Sequence, residues 1–183
     1  EKEKSKLTIN TQLRDALRHH ELQLHYQPQY RVDNGSLSGI EALLRWQRSD
    51  GTMVPPAEFI PIAEESGLIL PIGEWVTRAA CAQAMAWHKQ GLPMLKMAVN
   101  LSALQFKQPN LARQVAEALD ASGFPAELLV LELTETQLMH DEELAVAATQ
   151  AMRELGGGLA VDDFGTGYSS LSRLRELPID CLK

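Results

Sequence analysis

Short apolar runs of strand length recur along this chain, and helical stretches separate all but the first two. Residues 22–27 (LQLHYQ) and 37–46 (LSGIEALLRW) come first, joined by RVDNGS. The Asn34-Gly35 pair at that junction suits a hairpin, which makes the first strand antiparallel to the second. Further strands are expected at 95–102 (LKMAVNLS), 127–135 (ELLVLELTE), 158–162 (GLAVD) and 179–183 (IDCLK), six in all. Apolar spacing and stop signals predict helices over 55–67, 73–91, 110–123 and 141–156. A short helix over 169–178 precedes the sixth strand, and a lead-in helix begins the chain. Strands alternating with helices dictate parallel βαβ units. No glycine-rich dinucleotide fingerprint follows the first strand, which disfavours a doubly wound sheet.

Composition narrows the class. A chain of 183 residues makes roughly one domain with a sizeable core. Its net charge of −7 gives no general attraction to DNA or to an anionic membrane. No apolar run approaches transmembrane length, and the charged start EKEKSKLTIN does not read as a signal peptide, so a cytoplasmic location is expected, although the parent protein could be membrane-anchored. Cys81 and Cys181 lack metal-ligand spacing and read as two buried thiols in a reducing compartment. Trp46, Trp75 and Trp87 read as packing residues, and the histidines of the lead-in helix as solvated.

Polar residues interrupt five of the strands near their carboxyl ends: Glu41, Asn100, Glu132, Asp162 and Lys183. These strands are otherwise apolar on both faces, as buried parallel strands are. Parity places Glu41 with Leu43 and Arg45, Asn100 with Ala98, Glu132 with Val130, and Asp162 with Ala160. If the larger residues face covering helices, the polar groups converge in the mouth of a (β/α)8 barrel. Four oxygen ligands, Glu41, Asn100, Glu132 and Asp162, suit a hard divalent cation such as Mg²⁺ or Mn²⁺. Asp163 adds a carboxylate if the strand breaks there, and Gly165 and Gly167 permit the break. Two ions bridged by an aspartate would make a phosphodiester-cleaving site, with Arg45 on a phosphate oxygen and Lys183 orienting the nucleophile or offsetting charge.

Each residue also has a plainer reading. Glu41 and Arg45 could pair along a helix. ELTE could be a capping box, and Asn100 or Ser102 a cap. Asp162 and Asp163 could mark a turn, and Lys183 could be a solvated charge.

In sequence order, YQPQ (26–29), EALLRW (41–46), FIPIAEESGLI (59–69), VNLS (99–102), ELTE (132–135), DDFGTGYSSL (162–171) and LPIDCLK (177–183) resemble the motifs of EAL domains, the cyclic di-GMP phosphodiesterases. The resemblance implies a modified TIM (β/α)8 barrel with an antiparallel first strand, about six of whose eight strands are present. It implies hydrolysis of cyclic di-GMP to linear pGpG; a catalytically inactive cyclic di-GMP receptor is the alternative, and another divalent-metal barrel enzyme a third. Glu41, Asn100, Glu132 and Asp162 would bind one Mg²⁺ or Mn²⁺. Asp162 would bridge to a second, held also by Asp163. Lys183 would position the attacking water. Gln27, Leu43 and Arg45 would contact the substrate, and Glu135 would steady the loop after Asp163, tied in the family to a homodimer. Sensor or GGDEF-type domains could be fused in the parent. The expected domain is 1–183, with 1–20 as lead-in helix and linker. It is expected to lack two final strands, which carry a further metal-site glutamate and a glutamine near the substrate, and to be inactive alone.

Overall fold

The computed structural model describes residues 2–134, 142–162 and 181–182. After helix α1 (Lys2–Arg18), strands β1 (Leu22–Tyr30) and β2 (Leu37–Gln47) form the expected antiparallel hairpin. Its turn needs a left-handed residue, which Gly35 supplies at φ 68°, and Asn34 Oδ1 accepts from Ser36 N at 2.9 Å. Pro28 lies within β1 without cost to the ladder, since β1 pairs only with β2 among the described residues.

The chain continues through β3 (Met53–Val54), α2 (Pro56–Ser66), α3 (Ile69–Lys89), β4 (Lys96–Asn100), α4 (Ala103–Phe106) and α5 (Leu111–Ser122). A 3₁₀ turn (Ala126–Leu128) leads into β5 (Leu129–Thr134), and α6 (Glu142–Glu154), β6 (Gly158–Asp162) and β7 (Cys181–Leu182) follow. β3 was not expected, because two residues carry no readable period. α3 begins four residues before the predicted start, at Ile69, and takes Pro71 into its first turn, where a missing N–H costs nothing. The short helix expected over 169–178 lies outside the described residues.

Strand order is β1-β2-β4-β5-β6-β7, with β3 paired to the outer end of β2. Every pairing from β2 to β7 on this path is parallel. Neighbours in space thus follow chain order without the reversal that defines a doubly wound sheet. This is the order of a TIM (β/α)8 barrel whose first strand is reversed.

One face of the sheet carries the core. Met97 and Val99 of β4, Leu129, Leu131 and Leu133 of β5, and Leu159 and Val161 of β6 pack in one cluster with Ile72, Val76 and Ala80 of α3, Val115 of α5 and Met152 of α6. Each such side chain contributes about 1.5–3 kcal/mol when fully buried. Trp46, at 0% exposure, projects from β2 onto α2, its ring edge-on to Phe59 with centroids 5.6 Å apart. Leu13 and Ala16 are also fully buried, so the lead-in helix docks its apolar stripe into this core against α2. His19 and His20 beyond it are exposed, as expected. Trp75 and Trp87 are partly buried against the core, and Cys81 lies inside it; the Cys181 side chain lies outside the described residues.

Candidate active site

The ladders place the singled-out polar residues on the other face. Residues level with one another across a ladder point the same way, and residues two apart on one strand do too. Glu41 is level with Gln27 of β1 and with Ala98 of β4, two residues before Asn100. Asn100 is level with Glu132, and Glu132 with Ala160, two residues before Asp162. Gln27, Glu41, Asn100, Glu132 and Asp162 therefore share one face. Ala98 and Ala160 on that face are buried yet stand outside the core cluster made by their strand neighbours.

The polar position advances along the sheet from β2 to β4 and again from β5 to β6, while Asn100 and Glu132 stay level, a net stagger of the kind a closing barrel requires. Glu41 departs from expectation here. It is not at the end of β2 but at its fifth residue, because β2 runs on to Gln47 along β1, while β4 pairs it only over Gly39–Ala42. Leu43 and Arg45 consequently overhang the site on the Glu41 face, level with His25 and Gln23.

Asn100 Nδ2 donates to Glu41 Oε1 at 2.8 Å, joining β4 to β2 at the site. This orients both side chains and leaves the amide oxygen of Asn100 as a donor to a cation. Glu132 is 1% exposed. A carboxylate so buried costs several kcal/mol unless its charge is offset. Glu41 and Asp162 are half-buried. Arg45 donates from Nη1 to the Leu44 carbonyl at 2.9 Å. A cavity of about 310 Å³ opens beside these groups, reached by Leu43, Arg45, Asn100, Glu132 and Thr134 from the sheet and by residues of α2 and α3.

Some of the plainer readings can be separated. Glu41 and Arg45 lie in a strand, so no helical pair exists. Glu132 lies inside β5, not at a helix start. The cap after β4 belongs to Ser102, whose side chain accepts from Gln105 N in a reciprocal box that starts α4. Asn100 is left for the site. Asp162 closes β6. Asp163, Glu135 and Lys183 lie outside the described residues.

Among the described residues no three His, Cys, Asp or Glu side chains gather into one ion-sized cluster. The donor types still fit a hard divalent ion, since Glu41, Asn100, Glu132 and Asp162 offer oxygen alone. Sequence reading passed over Gln23 and His25, which share the Gln27 face of β1. The alternation in LQLHYQ carried that signal.

A barrel with acidic and amide oxygens on the inner face of successive strands defines a class of sites suited to a hard divalent cation at the barrel mouth. The sequence profile of the EAL domain matches residues 10–183, and the chain belongs to that family. It is 44% identical over 181 residues to the oxygen sensor protein DosP of Escherichia coli, covering 98% of this chain and 22% of that protein. It is 41% identical to the cyclic di-GMP phosphodiesterase NbdA of Pseudomonas aeruginosa, covering 97% of this chain and 23% of that one. The chain thus spans about a fifth of the length of these relatives. The solved structure described as PaMucR phosphodiesterase in its c-di-GMP complex superposes with a TM-score of 0.91 at 42% identity, over 96% of this chain and 71% of that one. Phosphodiesterases of this family are metal-dependent in general. Among the described residues no helix is long and apolar enough to cross a membrane.

Proposed function

We propose that this chain forms the catalytic part of a phosphodiesterase that hydrolyses cyclic di-GMP to linear pGpG. The observation that carries the reading is the single inner face shared by Gln27, Glu41, Asn100, Glu132 and Asp162 on neighbouring strands. The family match and the c-di-GMP complex described for a relative at 42% identity support it.

Glu41, Asn100, Glu132 and Asp162, with Asp163, would hold two divalent ions, Mg²⁺ or Mn²⁺. Bound there, such ions lower the pKa of a coordinated water and neutralise charge on the phosphoryl oxygens. The protein's own groups do the rest. Asn100 and Glu41 fix one another, so the first carboxylate is oriented before substrate arrives. Arg45, overhanging the site, donates to a non-bridging phosphate oxygen in exchange for its present bond to the Leu44 carbonyl. Leu43 and Gln27 flank it on the substrate side. Lys183 positions the water that attacks phosphorus. The water oxygen becomes a phosphate oxygen, the P–O3′ bond breaks, and the 3′ oxygen leaves as a hydroxyl, giving the linear dinucleotide.

The same reading makes residues 1–183 part of one catalytic domain. It places Glu135 as a support for the loop after Asp163, that loop at a homodimer contact, the protein in the cytoplasm, and fused sensor or GGDEF-type domains in the parent. The test is Glu41→Ala in the full-length protein with Mg²⁺ or Mn²⁺. Turnover of cyclic di-GMP is expected to vanish while circular dichroism stays unchanged. Turnover at the wild-type rate in that variant would remove Glu41 from the site.

A further inference from the structure

One side chain in the cavity has no task in the reaction above. Glu64, near the end of α2, lines the same hollow as Arg45 and Asn100. The neighbouring cavity wall is apolar, made by Leu43, Ile60, Ile69 and Ile72. Within the described residues the Glu64 carboxylate has no hydrogen bond or ion pair, and burial alone acts on it, pushing its carboxyl up from the ordinary value. Arg45, the cation nearest in function, turns its guanidinium to the Leu44 carbonyl instead. A half-buried carboxylate without a donor, at the wall of a mainly apolar cavity, is costly unless a ligand supplies the donor. The volume of about 310 Å³ lies at the small end of ligand pockets, which run from about 300 to 1,000 Å³.

The chemistry of that wall selects its guest. Apolar side chains accept a flat heteroaromatic ring. A carboxylate offers two acceptor oxygens and no donor when ionised. The base that matches has two adjacent N–H groups on one edge. Guanine has them, at N1 and at the exocyclic N2, whereas adenine presents an acceptor at N1. We propose that Glu64 reads the guanine base of the substrate, its two oxygens accepting from N1–H and N2–H while Arg45 holds the adjoining phosphate. This rests on the cyclic di-GMP reading and adds a specificity-determining residue to it.

The test measures binding of cyclic di-GMP, cyclic di-IMP and cyclic di-AMP to the full-length protein by calorimetry, for wild type, Glu64→Gln and Glu64→Asp. Hypoxanthine lacks the exocyclic amine, so cyclic di-IMP reports on N2–H alone. Wild type is expected to bind cyclic di-GMP tightest. Glu64→Gln is expected to weaken cyclic di-GMP roughly 10- to 100-fold, as for a lost hydrogen bond to a charged group, and to bring it level with cyclic di-IMP. Glu64→Asp keeps a carboxylate and is expected to keep part of the preference. An unchanged ratio between the two ligands in Glu64→Gln, with the variant folded by its thermal transition, would overturn the assignment. Turnover is assayed alongside. Wild type that binds but does not cleave cyclic di-GMP would sink the hydrolase reading, while the binding ratio still decides the role of Glu64.

Discussion

Glu21 ties the outer end of the β1–β2 ribbon together. Its carboxylate accepts from Trp46 Nε1 and from Ser49 N, each at 3.0 Å, and its backbone oxygen accepts from Gln47 N at 2.9 Å. The bond from Trp46 is the largest influence holding its pKa below the ordinary value. A carboxyl lowered in the folded state stabilises above its unfolded pKa, and that contribution is lost as pH falls through the folded value. Glu21→Gln is therefore expected to be less stable than wild type at neutral pH, with the gap closing in acid. Urea melts at pH 7 and in the acid range, followed by tryptophan fluorescence, measure this; a gap that widens in acid would contradict it. Cys81 gives a second residue-scale prediction. Burial raises its thiol to about 11, so little thiolate exists near neutral pH. Alkylation of Cys81 at pH 8 is expected only after unfolding, as mass spectrometry of labelled peptides would reveal.

At the scale of elements, the turn after β4 determines how Asn100 is presented. Gln105 completes the capping box with Ser102 by accepting from Ser102 N at 3.2 Å, and its amide lies over Gly73 of α3. A Cβ at Gly73 would fall on that amide. Leu101 N donates to the Glu132 carbonyl at 2.8 Å, which joins the same turn to β5. Gly73→Ala should displace the Gln105 amide, break its bond from Ser102 N and cost about 1–3 kcal/mol, the usual range for overpacking. It should also lower turnover, because the capping box that fixes the turn after Asn100 is lost. Combining it with Gln105→Ala is expected to recover part of the stability by opening space for the methyl. Urea melts of the single and double variants test this, and additive losses would refute the contact. Sequence reading placed a cap near Asn100 and Ser102, but it could not divide the roles. Only the fold shows Ser102 capping α4 while Asn100 reaches Glu41.

For the whole molecule, the inner and outer faces of the sheet do different work. Leucine, valine and methionine on one face meet α3, α5 and α6, while carboxylates and an amide occupy the other. A chelator is expected to stop turnover of cyclic di-GMP without unfolding the full-length protein, and added Mg²⁺ or Mn²⁺ to restore it. Ions that bind the native state should raise the melting temperature as their concentration rises. Loss of the thermal transition on chelation would make the ions structural instead. The lead-in helix belongs to this scale too. Leu13→Ala is expected to cost about 2–5 kcal/mol, as for a buried leucine elsewhere, because α1 is seated in the core. A loss near zero by urea melt would make α1 a linker.

Much of this was legible from the sequence, since strand alternation and helical spacing are local properties. The hairpin turn at Asn34-Gly35, the αL stops at Gly67 and Gly123, and the shared parity of Glu41, Leu43 and Arg45 all follow from residues within a few positions of one another. Parity also grouped Glu132 with Val130 and Asp162 with Ala160, groupings that the ladders then join into one face with Glu41. What sequence could not supply was the register between strands far apart in the chain. That register decides that β2 outruns β4, so that Glu41 sits mid-strand and Arg45 overhangs. It also decides that Gln23 and His25 share the face of Gln27, and packing across the helix layer decides that Glu64 meets the cavity beside Arg45. Such pairings are set by how side chains on many elements fill one core together, and no window of the sequence contains them.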